Sequence, residues 1–172
     1  MNTGQTMITM AAMGLLSLVI LNSNRNALSS TTSMAENKYN ILAISLGTAL
    51  IEEAFSKAFD QFTTDGQQVH AITDLTQNLG PGSGEVTRAD FNDFDDYNNF
   101  IDSTSSDSTL ISADFVIRSN VYYVDPTVSN KLSPVSYRTW HKRMDVFISS
   151  PYINNGQDTV RLSKVYSHYY FR

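Results

Sequence analysis

Five aspartates crowd a short span of this chain: Asp90, Asp93, Asp95, Asp96 and Asp102. Carboxylates so close in sequence are hard oxygen donors of the kind calcium takes. The EF-hand pattern is absent, because no glycine sits at the turn and no glutamate closes the loop. Between the acids, Phe91, Phe94, Tyr97 and Phe100 recur every three residues. That spacing favours a plainer reading, in which the aromatics pin an irregular segment to a sheet and the acids stay solvated. Calcium remains the alternative; no other cofactor is expected. The three histidines, His70, His141 and His168, show no metal-ligand spacing and are expected to be structural. The cluster Trp140-His141-Lys142-Arg143 reads as cross-strand pairing rather than a binding site. No nucleophile elbow, Walker loop or dinucleotide-binding glycine motif is present. Gly80–Gly84 lacks the Lys-Ser/Thr of a phosphate cradle. No enzyme is expected.

The elements that would position these residues follow from composition. With 172 residues the chain has one domain's worth of length, plus room for an appendage. Charged residues make up 17%, below the roughly 25% usual in soluble domains. A net charge of −5 argues against a nucleic-acid partner. There is no cysteine, so disulfides, thiolate metal sites and thiol catalysis are excluded.

Charge is distributed unevenly. The first ionisable side chain is Arg25. Before it runs an apolar stretch comprising Met7, Ile8, Met10, Ala11, Ala12, Met13, Gly14, Leu15, Leu16, Leu18, Val19, Ile20 and Leu21. A cleaved secretory signal is disfavoured, since no basic n-region precedes the stretch and no Ala-x-Ala follows it. A plain membrane anchor would want about 20 apolar residues. A buried core helix would stop soon after Leu21, and nothing here stops it. No proline occurs before Pro81, and the only glycines between Met7 and Phe62 are Gly14 and Gly47. A single helix over 7–62, roughly 80 Å long at 1.5 Å per residue, is therefore expected. Its Ser/Thr/Asn-rich middle suggests a kink or melted turn near 29–33. Its end carries Ile44, Thr48, Ile51, Phe55, Phe59 and Phe62 at three- and four-residue steps, a stripe for packing on a sheet. The front is apolar all round and needs lipid, or copies of itself, to cover it.

The remainder divides into a loop region over 63–108 and strands over 109–172. Runs at 112–124, 135–149 and 159–171 are rich in β-branched and aromatic residues and are separated by turn signals. Successive strands joined by short turns predict an antiparallel meander. The expected organisation is α+β: 1–24 as apolar helix half, 25–62 as its continuation on the sheet, then loop, then sheet.

This layout resembles the type IV pilin and pseudopilin superfamily. Gly4 stands where that family is processed, followed by Gln5, Thr6, Met7, Ile8 and Thr9; Thr6 and Ile8 match the family's start. Gln5 replaces its phenylalanine, and Thr9 stands where it carries glutamate. The resemblance implies a structural subunit held in the cytoplasmic membrane by its N-terminal helix. Assembly machinery would then extract it into a homo-oligomeric, extracellular filament, with processing between Gly4 and Gln5. A membrane-anchored binding domain outside the cytoplasm, calcium-dependent or not, and a minor pseudopilin of a secretion system are the alternatives.

Overall fold

The computed structural model describes residues 2–64, 66–104, 113–128 and 132–168. The Ser/Thr-rich run over 105–112 and the end of the last expected strand lie outside them. The fold is α+β: one long N-terminal helix, α1 (Thr3–Ser56), and a C-terminal antiparallel sheet. Among the described residues the sheet has four strands, β1 (Phe100–Ser103), β2 (Val116–Tyr123), β3 (His141–Ser149) and β4 (Thr159–Ser167), in the order β1-β2-β3-β4. The chain divides into two units, 1–38 and 39–172.

In the first unit, helix runs without interruption through the Ser/Thr-rich middle. The turn expected to melt does not. Thr31 and Thr32 donate their hydroxyls back to the Leu28 carbonyl at 2.8 and 3.0 Å, which takes up side-chain donors that would otherwise compete with the backbone.

In the second unit, α1 packs on the sheet from Tyr39 onward. Its buried face is Ala43, Gly47, Leu50, Ile51 and Ala54. That differs from the stripe of large residues. Ile51 belongs to it and Phe55 lies at its edge, but Ile44 is 47% exposed. The helix turns its small residues inward because the sheet comes close. A Cβ on Gly47 would sit 2.7 Å from both the Ile148 and Leu162 Cδ1 atoms. Large residues finish the packing at the flanks, where Tyr39 stacks on Tyr152 at 5.1 Å and Phe55 on Tyr166 at 4.7 Å.

The helix also ends early, at Ser56 rather than Phe62. Ala58 leaves it for a parallel bridge with Asp93, and the Phe94 amide donates to the Ala58 carbonyl at 2.9 Å. Asp60 is extended and caps a short 3-10 turn, Gln61–Thr63. Phe59 is therefore buried, though not on the helix; it joins a second cluster with Val69, Leu75 and Tyr123. Phe62 lies on the 3-10 turn and is 54% exposed.

Strand β1 falls inside the expected loop region, since Phe100-Ile101-Asp102-Ser103 pairs with Ser119 to Val116. Alternation then sorts the central strands by face. Ile117, Ser119, Val121 and Tyr123 of β2, and Lys142, Met144, Val146 and Ile148 of β3, are buried on the core face of the sheet.

Close approach at Gly47 gives a graded expectation. Gly47→Ala should be near neutral, because two flexible methyl ends can yield and alanine is the better helix former. Gly47→Val should cost about 1–3 kcal/mol by overpacking. Denaturant unfolding of the detergent-solubilised chain measures both.

Candidate functional site

Two features carry chemical or physical demands beyond ordinary folding. The first is the apolar front. Met7, Ile8, Met10, Ala11, Met13, Gly14, Leu15, Leu16, Leu18, Val19, Ile20 and Leu21 are all exposed in the isolated chain. Taken with its uncharged flanks, this front makes helix α1 long and apolar enough to cross a membrane. Exposed apolar surface on this scale must be covered by lipid or protein. Gly4 and Gln5 already lie in the helix and are exposed, and Gly14 has open space where a Cβ would be.

The second is a buried polar cluster that brings three separate segments together. Its centre is Lys142, on the core face of β3, in register with Tyr123 of β2 and Tyr166 of β4. Its ammonium is fully buried. It donates to the Phe59 carbonyl at 2.9 Å, to Asp60 Oδ2 at 2.7 Å and to Asp95 Oδ1. The Phe59 ring centroid is 4.6 Å from the nitrogen and that of Tyr123 is 5.5 Å away. Asp60 also accepts from the Phe62 amide at 3.2 Å and from both the amide and the hydroxyl of Thr76 at 3.1 and 2.9 Å. Tyr123 donates its hydroxyl to the Thr76 carbonyl at 2.6 Å. At Asp60 burial works against the charged form, but Lys142 and these donors outweigh it, holding the carboxyl below the usual range.

The aromatics of the acidic segment do pin it, with Phe91, Phe94 and Tyr97 all buried. The acids expected in solvent are partly buried with them. Asp93, Asp95 and Asp96 are at most 1% exposed. Asp93 Oδ1 accepts from the Asp95 amide at 2.8 Å, and Asp96 Oδ2 from the Asn92 and Asp93 amides at 2.8 and 3.0 Å. Asp90 is exposed and accepts from the Thr87 amide and hydroxyl. Asp102 pairs with Arg88 at 3.2 Å, and Arg88 also grips Glu53 on α1. The five calcium candidates thus divide among three different tasks. Among the described residues no group of three or more His, Asp or Glu side chains converges as a metal would require.

Two oxygens in this cluster, Asp93 Oδ2 and Asp96 Oδ1, have no donor among the described residues. A proton accounts for the first. Burial first, then the charge of Asp95, pushes the Asp93 carboxyl up to about 9, so it is neutral at pH 7. Beside Asp96, burial and the neighbouring charge raise Glu85. Asp93 and Asp95 can share a proton where two charges could not coexist.

The outer face of the sheet holds one more network. Asp145 accepts from Arg143 at 2.8 Å, Arg161 at 2.7 Å, Ser163 at 2.6 Å and the Tyr122 hydroxyl. Burial opposes its charge, but these donors prevail and lower it to about 2. His141 and His168 take structural places: Nδ1 of His141 lies 2.8 Å from the Ser167 hydroxyl, and His168 stacks on Trp140.

Sequence reasoning missed Lys142 as the centre. The signal was available: Met144, Val146 and Ile148 alternate inward, and the same period puts position 142 on the core face. Comparison with the known protein families, with curated proteins and with solved structures finds no match to this chain.

The protonated state of Asp93 has a signed consequence. A carboxyl whose folded pKa is raised contributes most below its unfolded value, and that contribution is lost as pH rises toward about 9. Asp93→Asn mimics the neutral acid and keeps an oxygen for the Asp95 amide. It should equal or exceed the wild-type melting temperature at pH 8, with the advantage shrinking toward pH 4. Removing the cation is a different matter. Lys142→Met strands two buried carboxyls and should cost about 3–5 kcal/mol at pH 7, less at pH 4, where they can take up protons. Chemical denaturation at the two pH values reads this directly. Millimolar calcium should leave the melting temperature unchanged, since the acids are already engaged.

Proposed function

We propose that this chain is a structural subunit of a pilus-like helical filament, anchored in a membrane by α1 before assembly. The observation that carries this reading is the exposed apolar surface of residues 7–21, followed by unbroken helix through a polar stretch. Fifteen residues of helix rise roughly 22 Å, short of the roughly 30 Å hydrocarbon core of a bilayer. A segment kept only as an anchor has no need of that shortness or of a rigid continuation. In a helix bundle both become useful: the apolar length is buried by neighbouring copies, and the polar length continues the packing. Ala11, Ala12, Gly14 and Ser17 permit close helix approach. Methionines at 7, 10 and 13 adapt to either lipid or protein. Identical contacts repeated without closing on themselves give an open fibre.

The resemblance to type IV pilins and pseudopilins supports the same reading. It extends to an extracellular fibre, to machinery that draws subunits from the membrane, and to processing between Gly4 and Gln5. A minor subunit would share every one of these features.

Negative-stain microscopy of material sheared from producing cells, with mass spectrometry of the pellet, tests the proposal. Uniform fibres dominated by this chain are expected, and the N-terminal peptide reads whether Gly4–Gln5 is cut. Leu18→Asp and Gly14→Trp should abolish the fibres while the chain remains folded in the membrane fraction, because a charge or a bulky ring enters a close-packed apolar core. Normal fibres from both variants would sink the reading. A chain that stays in the membrane without fibres would favour an anchored binding domain.

A further inference from the structure

The Lys142 cluster places a primary amine and two carboxyl groups in one dry enclosure. Lys142 and Asp60 are 0% exposed and Asp95 is 1% exposed. Phe59 and Tyr123 wall the amine. The two carboxyls differ in what else holds them. Asp60 receives the Phe62 amide and the amide and hydroxyl of Thr76 as well as Lys142, an environment built for a carboxylate. The Asp95 carboxyl is held by Lys142 and by the neutral carboxyl of Asp93.

We propose that Lys142 and Asp95 condense into an intramolecular amide, joining Nζ to Cγ and releasing one water, with Asp60 as the group that carries the proton. Desolvation makes the start accessible. In a dry site an ammonium–carboxylate pair and a neutral amine–carboxylic acid pair lie closer in energy than in water, so a proton passes from Nζ to an Asp95 oxygen. The Nζ lone pair then attacks Cγ. As the C–N bond forms, Asp60 takes a proton from Nζ and delivers it to the hydroxyl of the tetrahedral intermediate. The C–O bond breaks and that hydroxyl leaves as water. An amine and an acid become an amide and water, and no oxidant, reductant or further reactant is needed. Fixed contact between the reacting groups replaces activation of the acid, since positioned intramolecular reactants reach very high effective concentrations.

The divergence of the two carboxyls assigns their roles. Burial holds the Asp95 carboxyl above the ordinary range against the pull of Lys142, which lowers the cost of reaching the protonated, electrophilic form. Asp60 stays below that range and serves as base. The product would be a covalent tie between β3 and the acidic segment, across 47 residues of chain. The inference is independent of the filament reading, because it concerns the second unit alone.

Intact-mass measurement of the full chain, purified in detergent and then fully denatured, decides it. The expected mass is one water below that of the sequence, after allowing for any N-terminal cut. Proteolysis should yield a branched species joining the peptide that contains Asp95 to the one that contains Lys142. Lys142→Met and Asp95→Ala should return to full mass, and Asp60→Ala should carry the bond in a much smaller fraction of molecules. A wild-type chain at full mass overturns the proposal without recourse to any variant. So does a lost water that maps elsewhere, for instance to a succinimide at Asp65–Gly66. Undiminished bond formation in Asp60→Ala would overturn the role given to that residue.

Discussion

A buried ammonium needs partners from every direction, and in this protein that need fixes where three stretches of backbone go. Lys142 is anchored by sheet register, so its nitrogen has one address. Asp60 must come to it from the chain after α1, and Asp95 from the acidic segment. Meeting those two demands ends the helix at Ser56, turns Ala58 into a bridge with Asp93, and draws Thr76 in behind Asp60. The region between helix and sheet has little regular structure of its own. Its path is set by polar contacts to one nitrogen and by the aromatics around it.

The same constraint explains why acids that look soluble in sequence are buried in the fold. Once Asp95 is committed to Lys142, its neighbours Asp93 and Asp96 go inward as well. Asp93 then satisfies the Asp95 amide at the start of a tight 3-10 turn, Asp95–Tyr97, Asp96 reaches back to the Asn92 and Asp93 amides, and Asp93 gives up its charge. Protonation is cheaper here than unfolding the turn, because buried like charges a few ångströms apart repel strongly at low dielectric.

Much of the architecture was legible from residue patterns. Long proline-free helix, alternating strands and turn signals gave an α+β arrangement with an antiparallel sheet. What the patterns hid has physical causes. The buried helix face was misread because Ala43, Gly47 and Ala54 are too small to look like core; close packing selects small residues, which a search for large apolar ones passes over. Strand β1 was missed because Phe100-Ile101-Asp102-Ser103 is short and half polar, a habit of edge strands. Helix propensity carried the expected helix past Ser56 because nothing local opposes it; the opposing force is the distant Lys142. The acidic segment was legible as pinned by Phe91, Phe94 and Tyr97, but which acids it buried depended on that same remote partner.

An apolar residue at position 142 would avoid the cost of burying a charge, and ion pairs replaced by well-packed hydrophobes are often no less stable. The argument for lysine here is directional. Methionine could fill the space beside Phe59 and Tyr123, but it could not distinguish the observed path of residues 58–60 and 93–96 from another that buried as much apolar area. Hydrogen bonds to a carbonyl and two carboxyls at set distances can. The cost falls on a part of the fold that lacks strands or helices to hold it, which is where specificity is scarcest. The apolar front poses the opposite problem: a surface with ample hydrophobic driving force and almost no polar groups to choose a partner geometry. In one chain, a loop region starved of regular structure is fixed by charge, while a helix rich in structure is left for its surroundings to bury.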